Sequence, residues 1–539
     1  MRTALLVACL TGCTGSGSLD LELQLPTVTD LRPSGAATIT VIAQSPGTDP
    51  MESTAVVDKT GHFTAGDLPV GKDIQIDVLL RDVSSRLVGV GEGPQPITIT
   101  GDTITTMTIP VRKPFVYAAS GTNLYTFDDS LDPRDAKFQG ALTGLASPSL
   151  AVSVGGELLV IGSGSQLQLV DTSTHMVKGS PIAIPGAVHD IAPVPGKKMV
   201  AVGHASGVAI VDLESGTVQN ASGPSVDKIT VGQGQDGTLQ AFGLVGRVRP
   251  PAGPLDPCSG SSQMVTVPVD SPPASVQATP LAQATSDLAA APNAPGLYAT
   301  EPCAGKVVRL DGELSSDVSL ERAALLAVAG GRVWAVGSHA ATPVCFDVNF
   351  NPEPCPANAT ESCTSGNYSS GAIGWANPGA QLVVESIPLA GGSPIEIDLP
   401  ERRETMLDAG DPRDSAHENA RDLHPLYLEP LDLVVLPGAQ YIGVVTTSTY
   451  YTMEFIGPTS GGTAVILPCL SANIGDWLLI DSASTAVAER VRTECDLTYG
   501  INDIAGVFQT WECADPPAGE QNTQTPYFPT SVGALFGAR

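Results

Sequence analysis

The chain has 539 residues, and its 56 acidic and 27 basic side chains give a formal net charge of −29. Proteins bind phosphate backbones through clusters of lysine and arginine, and because no basic run occurs here, nucleic acid is excluded as an expected partner. Charged residues make up only 15% of the chain, whereas glycines number 57 and prolines 45, which argues against a long-helix protein and favours many short strands joined by turns.

The first thirteen residues, MRTALLVACLTGC, combine a positive charge at Arg2, an apolar run over 4–10 and small residues before Cys13. Spanning a bilayer takes about 20 apolar residues, so this run indicates a cleaved signal peptide. The order Leu-Thr-Gly-Cys resembles the lipobox of bacterial lipoproteins. The resemblance implies a signal peptide over 1–13 with Cys13 acylated, a flexible tether over 14–19, and membrane attachment through lipid.

The residue after Cys13 is Thr14. By similarity to the sorting rule of enteric bacteria, a residue other than aspartate at this position favours the outer membrane over the inner membrane. The expected location is therefore the cell envelope. Whether the protein faces the periplasm or the exterior stays open.

Residues 20–112 are rich in valine, isoleucine and threonine and predict a small all-β domain. Alternating or β-branched runs predict strands at 37–43, 74–80, 97–100 and 105–109. Gly61-His62-Phe63 followed by Leu68-Pro69-Val70-Gly71 resembles the signature of carboxypeptidase-regulatory-like and prealbumin-like β-sandwiches. The resemblance implies that Phe63 lies in the core, that 68–71 forms a turn, and that the domain is a non-catalytic spacer.

The rest of the chain repeats itself. Residues 150–171 align without a gap with 191–212, and 115–128 align with 158–171. Weaker copies occur at 229–244, 288–311, 325–347, 373–398 and from Leu433 onward. A period near 40 with about four strands per unit predicts a β-propeller, because one small sheet cannot bury both of its faces and a ring of sheets can. The pattern resembles the YVTN-type and lactonase-like propellers of bacteria.

The expected fold is therefore all-β, with a seven- or eight-bladed β-propeller over 113–512, preceded by the β-sandwich and followed by a C-terminal tail over 513–539. The copies number eight, whereas seven blades are commoner, so both numbers stay open. The first copy lacks an opening strand, and 504–508 is predicted to complete that blade. The aspartate that ends the third strand of a unit, as at Asp171 and Asp212, is predicted to cap the following turn.

Eight cysteines follow the signal peptide, all between residues 258 and 513. An even number in an exported protein favours disulfides. No C-x2-C pair is present, so a metal site is not predicted from the cysteines. The local pairs that we expect are Cys258 with Cys303, Cys345 with Cys355 or Cys363, and Cys469 with Cys495 or Cys513.

Two stretches interrupt the period, a proline-rich loop predicted at 245–285 and the strongly charged stretch 399–430. Long loops on a rigid scaffold commonly contact partners, so 399–430 is a candidate partner-contact loop. The alternatives are a solvated loop or short surface helix, or a metal or acid–base cluster. The candidate contact residues are Arg413, His417, Glu418, Arg421 and His424.

No nucleophile elbow, phosphate-binding loop or dinucleotide fingerprint occurs, and no cofactor is predicted. The sequence favours a non-catalytic, lipid-anchored, extracytoplasmic propeller that binds a protein or a cell-envelope component. The alternatives are a metal-dependent lactonase-like hydrolase with its site in the propeller channel, for which no ligand set can be assigned, and a purely structural envelope protein.

Overall fold

A computed structural model describes part of the chain. The described residues are 16–29, 32–45, 51–57, 62–83, 85, 87–93, 95–101, 104–113, 116–120, 123–127, 149–152, 156–250, 258–291, 294–312, 318–338, 345–346, 352–353, 382–398, 404–408, 420–435, 441–456, 465–481, 486–498, 511–513, 521–522 and 531–534. Within these ranges the chain forms strands and no α-helix. In the same ranges, no helix is long and apolar enough to span a bilayer.

Eight strands form the N-terminal unit. They are β1 (Ser16–Gln24), β2 (Thr38–Gln44), β3 (Met51–Val56), β4 (His62–Pro69), β5 (Gly71–Arg81), β6 (Leu87–Glu92), β7 (Ile97–Ile99) and β8 (Ile104–Arg112). They join in the order β3-β2-β5-β6-β8-β1-β4, with β7 beside β5. The end strands β3 and β4 approach each other, so the sheet is nearly closed.

The curled sheet of the N-terminal unit surrounds one apolar core, to which every strand except β3 contributes. Phe63 is 6% exposed within this core, as predicted. Leu68 and Pro69 end β4 and Gly71 begins β5, so only Val70 lies between the two strands and the turn predicted over 68–71 is wrong. Because β1 already begins at Ser16, the predicted tether over 14–19 is too long, and its last four residues belong to the sheet.

The remaining strands belong to residues 116–534. From 116 to 245 they are β9 (Val116–Ser120), β10 (Asn123–Phe127), β11 (Ser149–Val152), β12 (Leu158–Ser163), β13 (Gln166–Asp171), β14 (Met176–Ala183), β15 (Val188–Pro193), β16 (Met199–His204), β17 (Gly207–Asp212), β18 (Val218–Ser222), β19 (Lys228–Gln233) and β20 (Leu239–Val245). From 263 to 398 they are β21 (Gln263–Pro268), β22 (Thr279–Pro280), β23 (Asp287–Ala290), β24 (Leu297–Glu301), β25 (Lys306–Arg309), β26 (Val318–Ser319), β27 (Leu325–Ala329), β28 (Arg332–Ser338), β29 (Cys345–Phe346), β30 (Pro352–Glu353), β31 (Leu382–Pro388) and β32 (Ile395–Asp398). The last are β33 (Glu404–Asp408), β34 (Ala420–Val435), β35 (Tyr441–Ile456), β36 (Val465–Asp481), β37 (Ala486–Thr498), β38 (Trp511–Cys513), β39 (Gln521–Asn522) and β40 (Ser531–Ala534).

These strands form seven antiparallel blades within the described residues. In chain order from the innermost strand outward, they are β40-β9-β10, β11-β12-β13-β14, β15-β16-β17-β18, β19-β20-β21-β22, β23-β24-β25-β26, β27-β28-β31-β32 and β34-β35-β36-β37. The innermost strand of each blade approaches the innermost strands of both neighbours. The contacts run through all seven blades and return to the first, so the sheets close into a seven-bladed β-propeller.

The count of eight repeats is wrong for a specific reason. The copies at 325–347 and 373–398 are two halves of one blade, because β27 and β28 come from the first and β31 and β32 from the second. A long insertion, 339–381, separates the halves and makes one unit look like two.

The strand that completes the first blade is β40. It pairs with β9 from Ser531 opposite Ala119 to Ala534 opposite Val116. The strand predicted for this role, 504–508, lies outside the described residues. The propeller therefore extends to residue 534, and the stretch assigned to a C-terminal tail supplies part of its ring.

Two repeated residue types have clear structural roles. Aligned glycines of the second strands allow the next blade to approach, since a Cβ on Gly162 would lie 2.5 Å from Val188 Cγ1 and one on Gly203 would lie 2.8 Å from Val226 Cγ1. The aligned aspartates cap turns as predicted. Their Oδ1 atoms accept hydrogen bonds from backbone amides two residues further along the chain, at 2.7 Å in the unit of 150–171 and 3.0 Å in the unit of 191–212.

The N-terminal unit contacts one face of the propeller around blades one to three. Arg112, at the end of β8, is 6% exposed and donates from Nη1 to the carbonyl of Gly156 at 3.3 Å. Close by, the hydroxyl of the fully buried Tyr117 lies 3.0 Å from Nε2 of His175. A Cβ on Gly196 would lie 3.4 Å from Pro96 Cδ. This junction fixes which propeller face the N-terminal unit covers.

The junction predicts a pH dependence of stability. Burial, with a contribution from Arg112, lowers the pKa of His175 from 6.5 to about 4. The folded state therefore favours neutral His175, and stability should fall as the pH drops from about 6.5 towards 4, while the unfolded chain protonates first. Between pH 7 and pH 5 the loss attributable to His175 should be about 2 kcal/mol.

The measurement compares urea unfolding of the natural chain with that of His175→Asn at both pH values. Asparagine is the matched replacement because residue 175 has a positive φ of 54°, a conformation that asparagine tolerates. The variant should lose about 2 kcal/mol less than the natural chain on acidification. Equal losses in the two proteins would show that His175 does not contribute.

Candidate functional site: the long-loop face of the propeller

The two faces of the propeller differ in the length of their connections. At one face the innermost strands begin, second strands turn into third strands, and each blade connects to the next; we call it the long-loop face. At the other, the short-loop face, first strands turn into second strands and third into fourth. The Arg112–Gly156 contact is on the short-loop face, because Gly156 lies in the turn between β11 and β12.

Four long connections between consecutive blade strands belong to the long-loop face. They are 246–262, 339–381, 399–419 and 499–530. A fifth, 128–148, runs from the end of β10 to the start of β11. In the blades for which four strands are described, the longest connection on the short-loop face is 269–278. The single loop predicted at 245–285 is thus divided by β21 and β22. Only its first part, 246–262, belongs to the long-loop face.

Blade seven extends well beyond the ring on the long-loop face. Its strands β34 to β37 have 16, 16, 17 and 13 residues, which corresponds to about 55 Å for β36 at 3.3 Å per residue. The buried ends of these strands, such as Leu433 in β34 and Ile480 in β36, pack in the ring. Beyond the pair Tyr451–Ser471, β35 and β36 pair only with each other, while the first residues of β34 pair with β33. The described residues 452–456 and 465–470 are thus two-stranded, and we call 452–470 the hairpin tip.

The predicted contact stretch 399–430 contributes to this extension. Its described residues, 404–408 and 420–430, are strand and not the predicted loop or helix, because β33 pairs with the first residues of β34. Arg421 and His424 lie on β34, opposite Met406 and Tyr451 respectively. Arg413, His417 and Glu418 lie outside the described residues. The structure therefore places two of the five predicted contact residues on the extended sheet of the long-loop face.

The central channel opens on the same face through a ring of polar side chains that the sequence analysis missed. The four residues each lie in an innermost strand, directly before its apolar run. They are Asp190 in β15, Lys228 in β19, Asp287 in β23 and Asp432 in β34. Asp190 and Lys228 are 19% and 22% exposed, and Lys228 Nζ lies 3.8 Å from Asp190 Oδ1. The signal that could have revealed them is the recurrence of aspartate before an apolar run in three repeat units.

These carboxylates hold neighbouring blades together. Asp190 Oδ2 accepts a hydrogen bond from the backbone amide of Ile229 at 2.9 Å, and Asp287 Oδ2 accepts one from Leu326 at 3.0 Å. Each donor is on the innermost strand of the following blade. Asp432 accepts instead from the amide of the next residue in its own strand, at 3.0 Å. Asp190 and Asp287 thus act as clamps between blades.

Opposite charges at the channel mouth stabilise Lys228. Asp190, followed by Asp287 and Asp432, raises the pKa of Lys228 and keeps its ammonium protonated, although burial and Arg247 act in the other direction. Burial raises the pKa of Asp190, an effect that Lys228 and the Ile229 amide oppose. Arg247 adds a second cation and donates from Nε to the carbonyl of Ser286 at 2.7 Å. Among the described residues, no group of three or more potential ligand side chains could hold a metal ion.

A disulfide crosses the long-loop face between blades four and five. The predicted pair Cys258–Cys303 is present and joins the connection 246–262 to the turn between β24 and β25. The structure does not describe Cys355, Cys363 or the side chain of Cys345. The pairing of Cys345 with Cys355 or Cys363 therefore stays a prediction.

The register of blade seven bears on the other predicted pairs. Cys495 lies opposite Ile474, so Cys469 is five residues, or about 16 Å, further along β36. Disulfides need Cα atoms within about 7 Å, and the predicted Cys469–Cys495 pair does not fit. The alternative, Cys469 with Cys513, stays a prediction.

Comparisons with known proteins find only weak similarity to solved structures. No family model and no curated protein sequence matches the chain. Among solved structures, dihydro-heme d1 dehydrogenase NirN is 14% identical, with 70% of this chain and 72% of that one covered and a TM-score of 0.32. The β-propeller domain of Cps50 (Swd1) from Myceliophteria thermophila is 10% identical over 62% and 95%, also with a TM-score of 0.32. Because these similarities are weak, the fold assignment rests on the closed ring of blades.

Proposed function

We propose that this chain is a lipid-anchored, extracytoplasmic β-propeller that binds a protein or a cell-envelope component through its long-loop face. The observation that carries the proposal is the asymmetry of the ring. The N-terminal unit covers part of the short-loop face, whereas four long connections and the extended blade seven belong to the opposite face. Binding residues concentrate on loops that a rigid scaffold positions.

The channel supports a binding role over a catalytic one. Asp190 and Asp287 already accept backbone hydrogen bonds from the next blade, which is a structural use of their carboxylates. Lys228 is the counter-charge of these carboxylates, with its Nζ 3.8 Å from Asp190 Oδ1. The charged residues at the channel mouth therefore serve to hold the blades together. The long connections and the extended blade seven, which surround the channel mouth, are the elements that we expect to contact a partner.

Deletion of the hairpin tip tests the binding role. Replacing 452–470 by Asn-Gly leaves Tyr451 and Ser471 joined by a two-residue turn that suits a hairpin, and the described four-stranded pairing of blade seven remains. We expect cross-linked partners recovered from cells to fall at least tenfold. The matched control replaces 482–485 by Asn-Gly on the short-loop face of the same blade and should retain them. Full recovery with the tip deleted would remove the tip from the binding surface.

The anchor is tested separately by Cys13→Ser. Mass spectrometry of the natural protein should find acyl groups on Cys13 at a new N-terminus. The variant should leave the membrane fraction, since no other anchor is proposed. Continued membrane association of the variant, or an unmodified Cys13, would contradict the lipoprotein assignment.

A further inference from the structure

The start of β1 lies very close to the proposed lipid. Only two residues separate Cys13 from Ser16, where β1 begins. Three residue steps span at most about 11 Å even when fully extended. If Cys13 is acylated, the first residues of β1 are therefore held at the bilayer surface, and the N-terminal unit has no flexible spacer beneath it.

Two exposed apolar side chains flank this end of β1. Val70 follows Pro69, which lies opposite Ser16, and a Cβ on Gly17 would be 3.5 Å from Val70 Cγ2. On the other side, Ile104 opens β8 opposite Ser18. Val70 is 44% exposed and Ile104 is 62% exposed. The N-terminal unit thus presents apolar surface on both sides of the point from which the tether leaves.

We propose that Val70 and Ile104 contact the lipid bilayer and that this end of the N-terminal unit is its membrane-facing surface. The inference rests on the proposed acylation of Cys13, which supplies the proximity. Because the segment between Cys13 and Ser16 spans at most about 11 Å, the bilayer that holds the acyl chains is the surface nearest to these two side chains. Transfer of the exposed valine and isoleucine surface from water to the apolar side of the interface is favourable, and it fixes the tilt of a unit that the acyl chains alone would leave free to rotate.

Photolabelling in vesicles tests this contact. The acylated full chain is reconstituted into phosphatidylethanolamine–phosphatidylglycerol vesicles that contain a phospholipid with a diazirine near the start of its acyl chain. After illumination and digestion, label is measured on the peptides that carry Val70 and Ile104. The internal control is label at Val56 and Val83, which are 78% and 90% exposed.

The control sites lie at the other end of the unit. Val56 is opposite Thr38, which in turn is opposite Arg81, ten residues or about 33 Å along β5 from Gly71. We expect at least fivefold more label at positions 70 and 104 than at 56 and 83. In Val70→Ser/Ile104→Ser, label on the peptides around these positions should fall at least threefold, whereas Val56→Ser/Val83→Ser should leave it unchanged.

The outcomes separate this inference from the proposed function. Equal labelling at the two ends of an acylated protein would overturn the membrane-facing surface and leave the anchor intact. An unmodified Cys13, found in the same mass spectra, would overturn both. Strong label at 70 and 104 that disappears only in the variant of those two residues supports the contact.

Discussion

Removal of residues 531–539 should prevent the propeller from folding to a stable ring. The deletion takes away β40, whose four residues pair with β9 and which also approaches β11 and β34 in the neighbouring blades. Lost ladder hydrogen bonds alone should cost about 4 kcal/mol, at about 1 kcal/mol each. The gap also exposes the buried side of Tyr117 in β9, which is 0% exposed in the closed ring.

The measurement is urea unfolding together with limited proteolysis. The truncated chain should unfold at a much lower urea concentration and be cut within 116–127, where blade one has lost its inner strand. Deletion of 535–539, which leaves β40 in place, is the matched control and should behave like the natural chain. If both truncated chains unfold alike, β40 does not close the ring.

Loss of the Cys258–Cys303 disulfide should destabilise the chain by about 4 kcal/mol. The bridge closes a segment with a sequence separation of 45, and the chain-entropy model gives about this value for such a loop. The double variant Cys258→Ser/Cys303→Ser avoids an unpaired thiol. Its effect should be largest in blades four and five, because the bridge holds 246–262 against the next blade.

Hydrogen exchange resolves where the loss occurs. Amides of β20, β21, β24 and β25 should exchange faster in the double variant, while those of the N-terminal unit should not change. Treatment of the natural chain with a reductant should produce the same faster exchange in these four strands. A stability change below about 1 kcal/mol would mean that the turn contacts hold these blades without the bridge.

Local features of the fold were predictable because they repeat. Gly162 and Gly203 align in sequence, and both allow the next blade to approach closely. Asp171 and Asp212 align too, and both cap the turn after a third strand. A residue that has the same structural role in several units recurs in the sequence at a fixed spacing. That spacing, together with the number of strands per unit, predicts a β-propeller.

Features without a repeated trace could not be predicted. The insertion 339–381 interrupts one blade between its second and third strands, so the sequence counts two copies where the fold has one. The closing strand, Ser531–Ala534, consists largely of small residues and has no partner near it in sequence, because its register depends on Val116 and Ala119 at the other end of the propeller. The pairing of β40 with β9 depends on closure of the whole propeller and not on residues near β40 in the sequence.

The candidate site was partly accessible from sequence. The charge of the stretch 399–430 is visible in the sequence, but its strand β33 pairs with β38, which is distant in the chain. The aspartates at the channel mouth were overlooked because each alone resembles a surface residue. Asp190 and Asp287 acquire their role only when the following blade offers a backbone amide.

The use of β40 in the first blade also sets an order of events during synthesis. Residues 116–127 leave the ribosome long before their inner partner, which follows more than 400 residues later at Ser531–Ala534. Completion of the ring must therefore wait until residue 534 has been made, and until then β9 has an unpaired edge that can recruit other extended chains. A protein built in this way depends on protection of its nascent form, and a chain truncated before residue 531 would be an open, aggregation-prone product.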